Sequence, residues 1–157
     1  MIERLLLGER ASERLFLVVV PAAALAATDL IVKETVATHF WDFHQRSSAW
    51  VGLSAGLLIG ALALALVPSR AVALAAGVMS GGVIGNLVSA RLDGDKVPNP
   101  IVIGSYENGV AFNLADVFFL VGIGVLMAAL IIVTFRNRDR LIPPRAWERA
   151  LRRRLHS

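Results

Sequence analysis

The sequence predicts an all-α integral membrane protein with four transmembrane helices, both termini in the cytoplasm, and a small extracytoplasmic loop region between spans 3 and 4. Of the 157 residues, 56% are hydrophobic and only 18% are charged. That composition is too apolar for a soluble domain of this size. Four apolar runs each approach the roughly 20 residues that cross a bilayer. We therefore expect one membrane domain, 1–157.

The four predicted spans follow one another closely along the chain. They lie at about 15–36, 49–67, 71–88 and 110–135. Only residues 68–70 separate the second from the third, which predicts an antiparallel pair with a very short turn. The first run resembles a cleavable leader in its small residues, but it continues through 30–32 and three further runs follow. We expect it to remain as a span.

The distribution of Lys and Arg predicts the orientation of the spans. Twelve of them lie in the N-terminal segment, at Arg70 and in the C-terminal tail, whereas Lys33, Arg46, Arg91 and Lys96 lie on the other side. By the positive-inside rule, both termini are cytoplasmic. Segments 38–48 and 91–109 then face outward.

The tail, 136–157, is predicted to be a basic cytoplasmic amphipathic segment. Trp147, Leu151 and Leu155 recur every four residues, with arginines between them. This pattern is typical of a helix that lies on anionic lipid and anchors the topology.

Several polar residues lie at membrane depth in the predicted spans. Asp116 stands in an otherwise uncharged run, and Asn113 shares its helical face. Asp29 and Lys33 form a pair of opposite charge four residues apart, which suits a structural ion pair as well as a site. Asn86 lies near the outer end of the third span. Because an intramembrane acid usually marks function, we expect Asp29, Asn86, Asn113 and Asp116 to converge in a pocket toward the outer leaflet, with Lys33 reaching outward.

Other chemistries have little support in the sequence. The chain has no cysteine, which excludes disulfides and thiolate metal sites. The spacing of His39, Asp42 and His44 does not match a metal-binding motif, so these residues do not predict a metal site. We expect no metal, no cofactor and no nucleic-acid partner. Glycines at 77, 81 and 85 predict a ridge for close helix packing.

Three motifs, taken in order, resemble those of the bacterial lipoprotein signal peptidases, also called signal peptidase II. They are Asp29-x-x-x-Lys33, Gly81-Gly82-x-x-Gly85-Asn86 and Phe112-Asn113-x-Ala115-Asp116. The resemblance covers the chain from about Leu15 to Phe135. It implies an aspartyl endopeptidase of the bacterial cytoplasmic (inner) membrane that acts on diacylglyceryl-prolipoproteins, with membrane lipids and a prolipoprotein or other lipidated peptide as partners.

The resemblance also implies roles for individual residues. Two aspartates of that family share a proton, one activating water and the other protonated toward the scissile carbonyl. Asp116 would be one of the pair, Asn113 would orient it or the substrate, and Asn86 would contact the substrate backbone. Asp29 and Lys33 would belong to the same substrate-binding region.

The chain departs from the family pattern at three places. Ser89 stands where the family has an Asp, and Arg91 matches the Arg that follows only after a slip of one residue. Asn99 occupies the position of the second catalytic Asp. An Asn cannot share a proton with Asp116, so the paired mechanism is not available as written. The family's Asn-x-Gly-x-Ala-Phe motif is missing from 38–48.

Three hypotheses follow from these residues. The favoured one is a signal peptidase-like protein that binds lipidated peptides at the outer leaflet with impaired protease activity. The second is an active endopeptidase in which Asp93 or Asp95 replaces the missing carboxylate beside Asp116. The third is a structural membrane subunit in which Asp116 and Asn113 serve only helix packing or assembly.

Overall fold

A computed structural model describes residues 9–105 and 108–138 of the chain. These residues form four helices and four very short strands. The helices are α1 (Glu9–Thr35), α2 (Ser48–Leu64), α3 (Arg70–Leu92) and α4 (Leu114–Arg136). The predicted amphipathic tail lies mostly outside the described residues.

Local side chains fix where three of the helices begin. Ser47 caps α2 by accepting a hydrogen bond from Trp50 N, and Ser69 caps α3 by accepting one from Val72 N. Asn113 caps α4 through a reciprocal capping box with Asp116. Each cap satisfies a backbone N–H that the first helical turn would otherwise leave without a partner.

The strands form two separate two-stranded antiparallel sheets at one end of the helices. Strand β1 (Phe43–Gln45) pairs with β2 (Lys96–Pro98), and β3 (Ile101–Ile103) pairs with β4 (Val110–Phe112). A single 3₁₀ turn, Phe40–Asp42, precedes β1. The fold is therefore mostly helical, as predicted, and the short strands at this end are additional to the all-α prediction.

Three helices are long and apolar enough to cross a membrane, at Ala11–Thr35, Arg70–Leu92 and Leu114–Arg136. The helix in the second predicted span has 17 residues and ends at Leu64. The chain then continues to Val67 through hydrogen bonds that reach back three residues rather than four. The fourth predicted span began at Val110, but 110–112 form β4 and the helix starts only after the Asn113 cap.

Helix α3 lies at the centre of the bundle. It packs extensively against α1 and α4 and less extensively against α2. Two-thirds of its apolar window is buried, compared with about a fifth in α1 and α4. The three helices around α3 expose large apolar side chains such as Phe16, Ile59, Leu120 and Phe135. Such a surface is unfavourable in water and suits contact with lipid, so the helices indicate a membrane protein.

Glycines allow α3 to approach its neighbours closely. A Cβ at Gly77 would lie 2.7 Å from the carbonyl oxygens of Leu17 and Val18 on α1. A Cβ at Gly85 would lie 2.6 Å from Asp29 Oδ2. The predicted packing role of this ridge is confirmed, and the ridge also leaves space for a buried carboxylate.

Candidate functional site

The site begins with a buried ion pair on α1. Lys33 Nζ lies 2.7 Å from Asp29 Oδ2, and both side chains are almost fully buried. The second oxygen of Asp29 accepts a hydrogen bond of 2.8 Å from Ala115 N at the start of α4. The pair predicted from the four-residue spacing is therefore present. It also ties α1 to the first turn of α4.

Asn86 on α3 connects this ion pair to Asp116. Lys33 donates to Asn86 Oδ1 at 2.9 Å, and Asn86 Nδ2 donates to Asp116 Oδ1 at 2.9 Å. Because an ammonium can only donate, Lys33 fixes the amide oxygen toward itself and the NH₂ group toward Asp116. One continuous chain of hydrogen bonds thus joins α1, α3 and α4. Polar residues of three predicted spans therefore meet, as expected.

The Asp116 carboxylate is held from two sides. Its Oδ1 accepts from Asn86, and its Oδ2 accepts from Asn113 N at 3.3 Å in the capping box. Asp116 is only partly buried, unlike Asp29, which is 0% exposed. Its remaining lone pairs are therefore available to a ligand on the open side.

Asn113 is a positioning residue in this structure. It is fully buried, its Oδ1 accepts from Asp116 N, and its Nδ2 donates to Asn99 Oδ1 at 2.6 Å and to Pro98 O at 3.3 Å. These contacts occupy the side chain. Asn113 fixes the orientation of Asp116 and leaves no polar atom for a substrate.

Asn99, which the resemblance would align with a second catalytic aspartate, makes its hydrogen bonds to other residues than Asp116. It is 1% exposed, and its amide nitrogen lies 2.9 Å from His44 Nδ1 and 3.5 Å from the carbonyl of Ala111. Its amide oxygen accepts from Asn113. Asn99 therefore reaches Asp116 only through Asn113, and it holds β2, β4 and the β1 segment together.

Asp116 lines a cavity of about 230 Å³ between α2, α3 and α4. We call it the Asp116 cavity. Its lining residues are Arg46, Trp50, Leu53, Ser54, Leu57, Gly82, Val83, Asn86, Asp116 and Phe119. Its walls are mainly apolar, with polar groups concentrated where Asn86 and Asp116 meet. Such a cavity suits an amphiphile, because apolar walls bury its chains and a few polar groups orient its head.

A second cavity, of about 250 Å³, is lined in part by Lys33, Glu34, Ser89 and Asp93. It shares no lining residue with the Asp116 cavity. Lys33 of this cavity donates a hydrogen bond to Asn86, which lines the Asp116 cavity. Asp93 therefore lines a different cavity from Asp116.

Two of the proposed polar residues lie outside the cluster. Arg91 is exposed in the last turn of α3, and among the described residues no hydrogen bond or ion pair joins it to the other site residues. Asp95 is exposed in a left-handed conformation, with φ of 64°. Its backbone is fixed by hydrogen bonds from Asp95 N to Ala90 O and from Arg46 N to Asp95 O, each 2.7 Å.

Arg46 and Trp50 were not among the predicted site residues. The Arg46 guanidinium lies over the Trp50 ring, 4.9 Å from its centroid, and both side chains line the Asp116 cavity. One signal in the sequence could have identified them, because a cation stands four residues before a tryptophan at the start of the second predicted span.

The arrangement can bind polar groups, but it lacks the parts of an aspartyl dyad. Asp116 is the only carboxylate among the described residues that line its cavity. A single carboxylate can accept a proton from water, but paired catalysis also needs a second carboxyl to donate one. Within 9–105 and 108–138, no group of His, Asp or Glu side chains is placed to hold a metal ion.

Comparison of the chain with protein-family models, with curated proteins and with solved structures found no match. The resemblance to the lipoprotein signal peptidases therefore stays a prediction, which depends on the three motifs. The function is inferred below from the contacts of Asp116, Asn86 and Lys33.

Proposed function

We propose that the protein binds lipidated peptides of the diacylglyceryl-prolipoprotein kind at the outer leaflet of a bacterial inner membrane, without cleaving them by paired aspartates. One observation carries this proposal. Asp116 is the only carboxylate lining its cavity among the described residues, whereas Asn99 is buried against Asn113 and His44. The Asp116 cavity therefore has polar groups that can bind a ligand, but among the described residues no second carboxylate lines it to complete a dyad.

The walls of the Asp116 cavity favour a ligand with both lipid and peptide character. Leu53, Leu57 and Phe119 offer apolar contact, and Asn86 and Asp116 lie at one end of it. An extended peptide presents N–H groups that a carboxylate accepts. Acyl chains attached to the peptide would follow the apolar walls toward the surrounding lipid.

The other loop acids do not complete a dyad in this arrangement. Asp93 lines the second cavity, which shares no lining residue with the Asp116 cavity, and Asp95 belongs to a turn with a fixed backbone. For either to share a proton with Asp116, the outer end of α3 would have to rearrange. This favours binding over an active endopeptidase with a rearranged dyad.

The proposed topology keeps four spans with both termini inside. Helix α2 has 17 residues, which at 1.5 Å per residue is about 26 Å and close to the roughly 30 Å of hydrocarbon. The residues up to Val67 remain apolar and extend its length. On this topology, the strands and the Asp116 end of the cavity face the outer side.

A cleavage assay tests the proposed function. Purified protein is given a diacylglyceryl-prolipoprotein, and wild type is compared with Asp116→Ala, Asp93→Ala, Asp95→Ala and Asn99→Asp. We expect no turnover by wild type, and none by Asn99→Asp because that side chain faces Asn113 and His44. Wild-type turnover that is lost in Asp116→Ala and in one loop variant would establish a working dyad instead.

A further inference from the structure

Arg46 lines the Asp116 cavity and forms no ion pair with a described residue. Its Nε is buried and has no hydrogen-bond partner. Among the described residues no hydrogen bond or ion pair reaches its guanidinium, which lies over the ring of Trp50. Ion pairs join Lys33 to Asp29 and Arg70 to Glu13, but none joins Arg46 to Asp116. A buried donor without a partner is costly, so a ligand that supplied an acceptor would be favoured there.

The local backbone holds Arg46 at the outer end of the cavity. Arg46 N donates to Asp95 O at 2.7 Å, and the next residue, Ser47, caps α2. The guanidinium is therefore placed by two fixed segments and by stacking on Trp50. A guanidinium has a planar array of donors that matches the oxygens of a phosphate or a carboxylate.

Two opposite charges thus line one small cavity without neutralising each other. Arg46 requires oxygen acceptors, and Asp116, which already accepts from Asn86, has lone pairs left for a further donor. A ligand that satisfies both has an anionic group and a nitrogen with N–H bonds on one polar head. The apolar walls require that this head be attached to hydrocarbon.

We propose that the Asp116 cavity binds a phospholipid whose headgroup carries a primary amine. The phosphate lies on Arg46, the ammonium donates to Asp116, and an acyl chain follows Leu53 and Leu57. A choline headgroup keeps the positive charge but has no N–H to donate, and a glycerol headgroup leaves the phosphate charge facing Asp116 uncompensated. This inference does not depend on peptide binding, although a lipidated peptide would compete for the same space.

Native mass spectrometry of the delipidated full-length protein tests this inference. The protein is titrated separately with phosphatidylethanolamine, phosphatidylcholine and phosphatidylglycerol. We expect wild type to bind the ethanolamine lipid about tenfold more tightly than the other two, the usual effect of one hydrogen bond to a charged group. Asp116→Asn should remove that preference, and Arg46→Gln should weaken all three lipids.

Matched variants distinguish lipid binding in the Asp116 cavity from a general effect of surface charge on lipid binding. Arg91→Gln and Asp93→Asn make the same charge changes at the outer end of α3, outside the Asp116 cavity, and should bind as wild type does. Arg46→Lys keeps the charge but loses the planar donor array, so partial loss is expected. Helical circular dichroism confirms that each variant is folded.

Two results would overturn the inference. One is equal binding of the three lipids by wild type. The other is unchanged ethanolamine-lipid binding in folded Arg46→Gln and Asp116→Asn. A lipid preference with no binding of a lipidated peptide would contradict the proposed function but leave this inference in place. Binding of a lipidated peptide with no lipid preference would reject the lipid site and leave the proposed function in place.

Discussion

At the scale of single residues, the sequence predicted which side chains meet but not what each one does. Asp29, Asn86, Asn113 and Asp116 were expected to converge. Lys33, which forms an ion pair of 2.7 Å with Asp29, connects Asp29 to Asn86, and Asn86 and Asn113 both hydrogen-bond to Asp116. Helical spacing and span ends were enough for that prediction. The roles of Asn113 and Asn99 could not be predicted, because they depend on contacts between segments distant in sequence.

Lys33 is expected to stabilise the fold by compensating the Asp29 charge. Replacing it in Lys33→Met leaves a fully buried carboxylate without its cation, which typically costs about 3–5 kcal/mol. The measurement is the free energy of unfolding in detergent micelles. Lys96→Met is the matched control, since Lys96 is exposed on β2 and should change stability little. Equal stability of both variants would show that Asp29 does not require the ion pair.

Asn113 is expected to matter more for stability than an ordinary cap. Asn113→Ala removes the α4 cap, which alone costs about 1 kcal/mol, and also leaves the buried Asn99 oxygen without its donor. Ser47→Ala removes only a cap, at α2, and is the comparison. Thermal unfolding should show the larger loss for Asn113→Ala. A smaller loss than for Ser47→Ala would contradict the positioning role.

At the scale of the elements, the apolar runs predicted four helices, and their composition could not reveal the strands. Strand β4 is apolar, so it was assigned to the following span. In the structure, the Asn113 cap lies between the end of β4 and the start of α4. The three-residue strands are too short for alternation to be recognised, and they form because outer segments meet in the fold.

Glycines recur every four residues on α3, at 77, 81 and 85, and on α2, at 52, 56 and 60, and the two rows should respond differently to alanine. Gly77 on α3 lies against the backbone of α1, whereas Gly56 on α2 has nothing within 4 Å of an added Cβ. Gly77→Ala must push two helices apart and should lower the melting temperature. Gly56→Ala should be neutral or stabilising, since alanine favours a helix by about 1 kcal/mol over glycine. Destabilisation by Gly56→Ala to the same extent would indicate an unrecognised partner on α2.

At the scale of the whole molecule, a mostly helical bundle places one small polar cluster next to the short strands at one end. Composition was sufficient to predict the membrane class, and the orientation predicted from Lys and Arg stays a prediction. The glycines of α3 predicted close packing but not its central position. The Asp116 cavity was not predictable in shape, because its walls come from α2, α3 and α4 together.

The orientation can be tested with single cysteines, since the chain has none of its own. Lys96→Cys lies on β2, and Asn137→Cys follows α4. A membrane-impermeant maleimide added to intact cells should label the first and not the second. Permeabilised cells, in which both should be labelled, are the control. Labelling of Asn137→Cys alone in intact cells would reverse the proposed topology.

Binding of a lipidated peptide to a cavity-filling variant tests the central claim most directly. Leu57→Trp places a larger ring in the Asp116 cavity, and Leu62→Trp makes the same change at an exposed, lipid-facing position. Affinity is measured for a diacylglyceryl-cysteine peptide and for its unlipidated form. The account predicts that the lipidated peptide binds more tightly to wild type and to Leu62→Trp, and that binding is lost in folded Leu57→Trp. Equal affinity of wild type and Leu57→Trp for the lipidated peptide would contradict it.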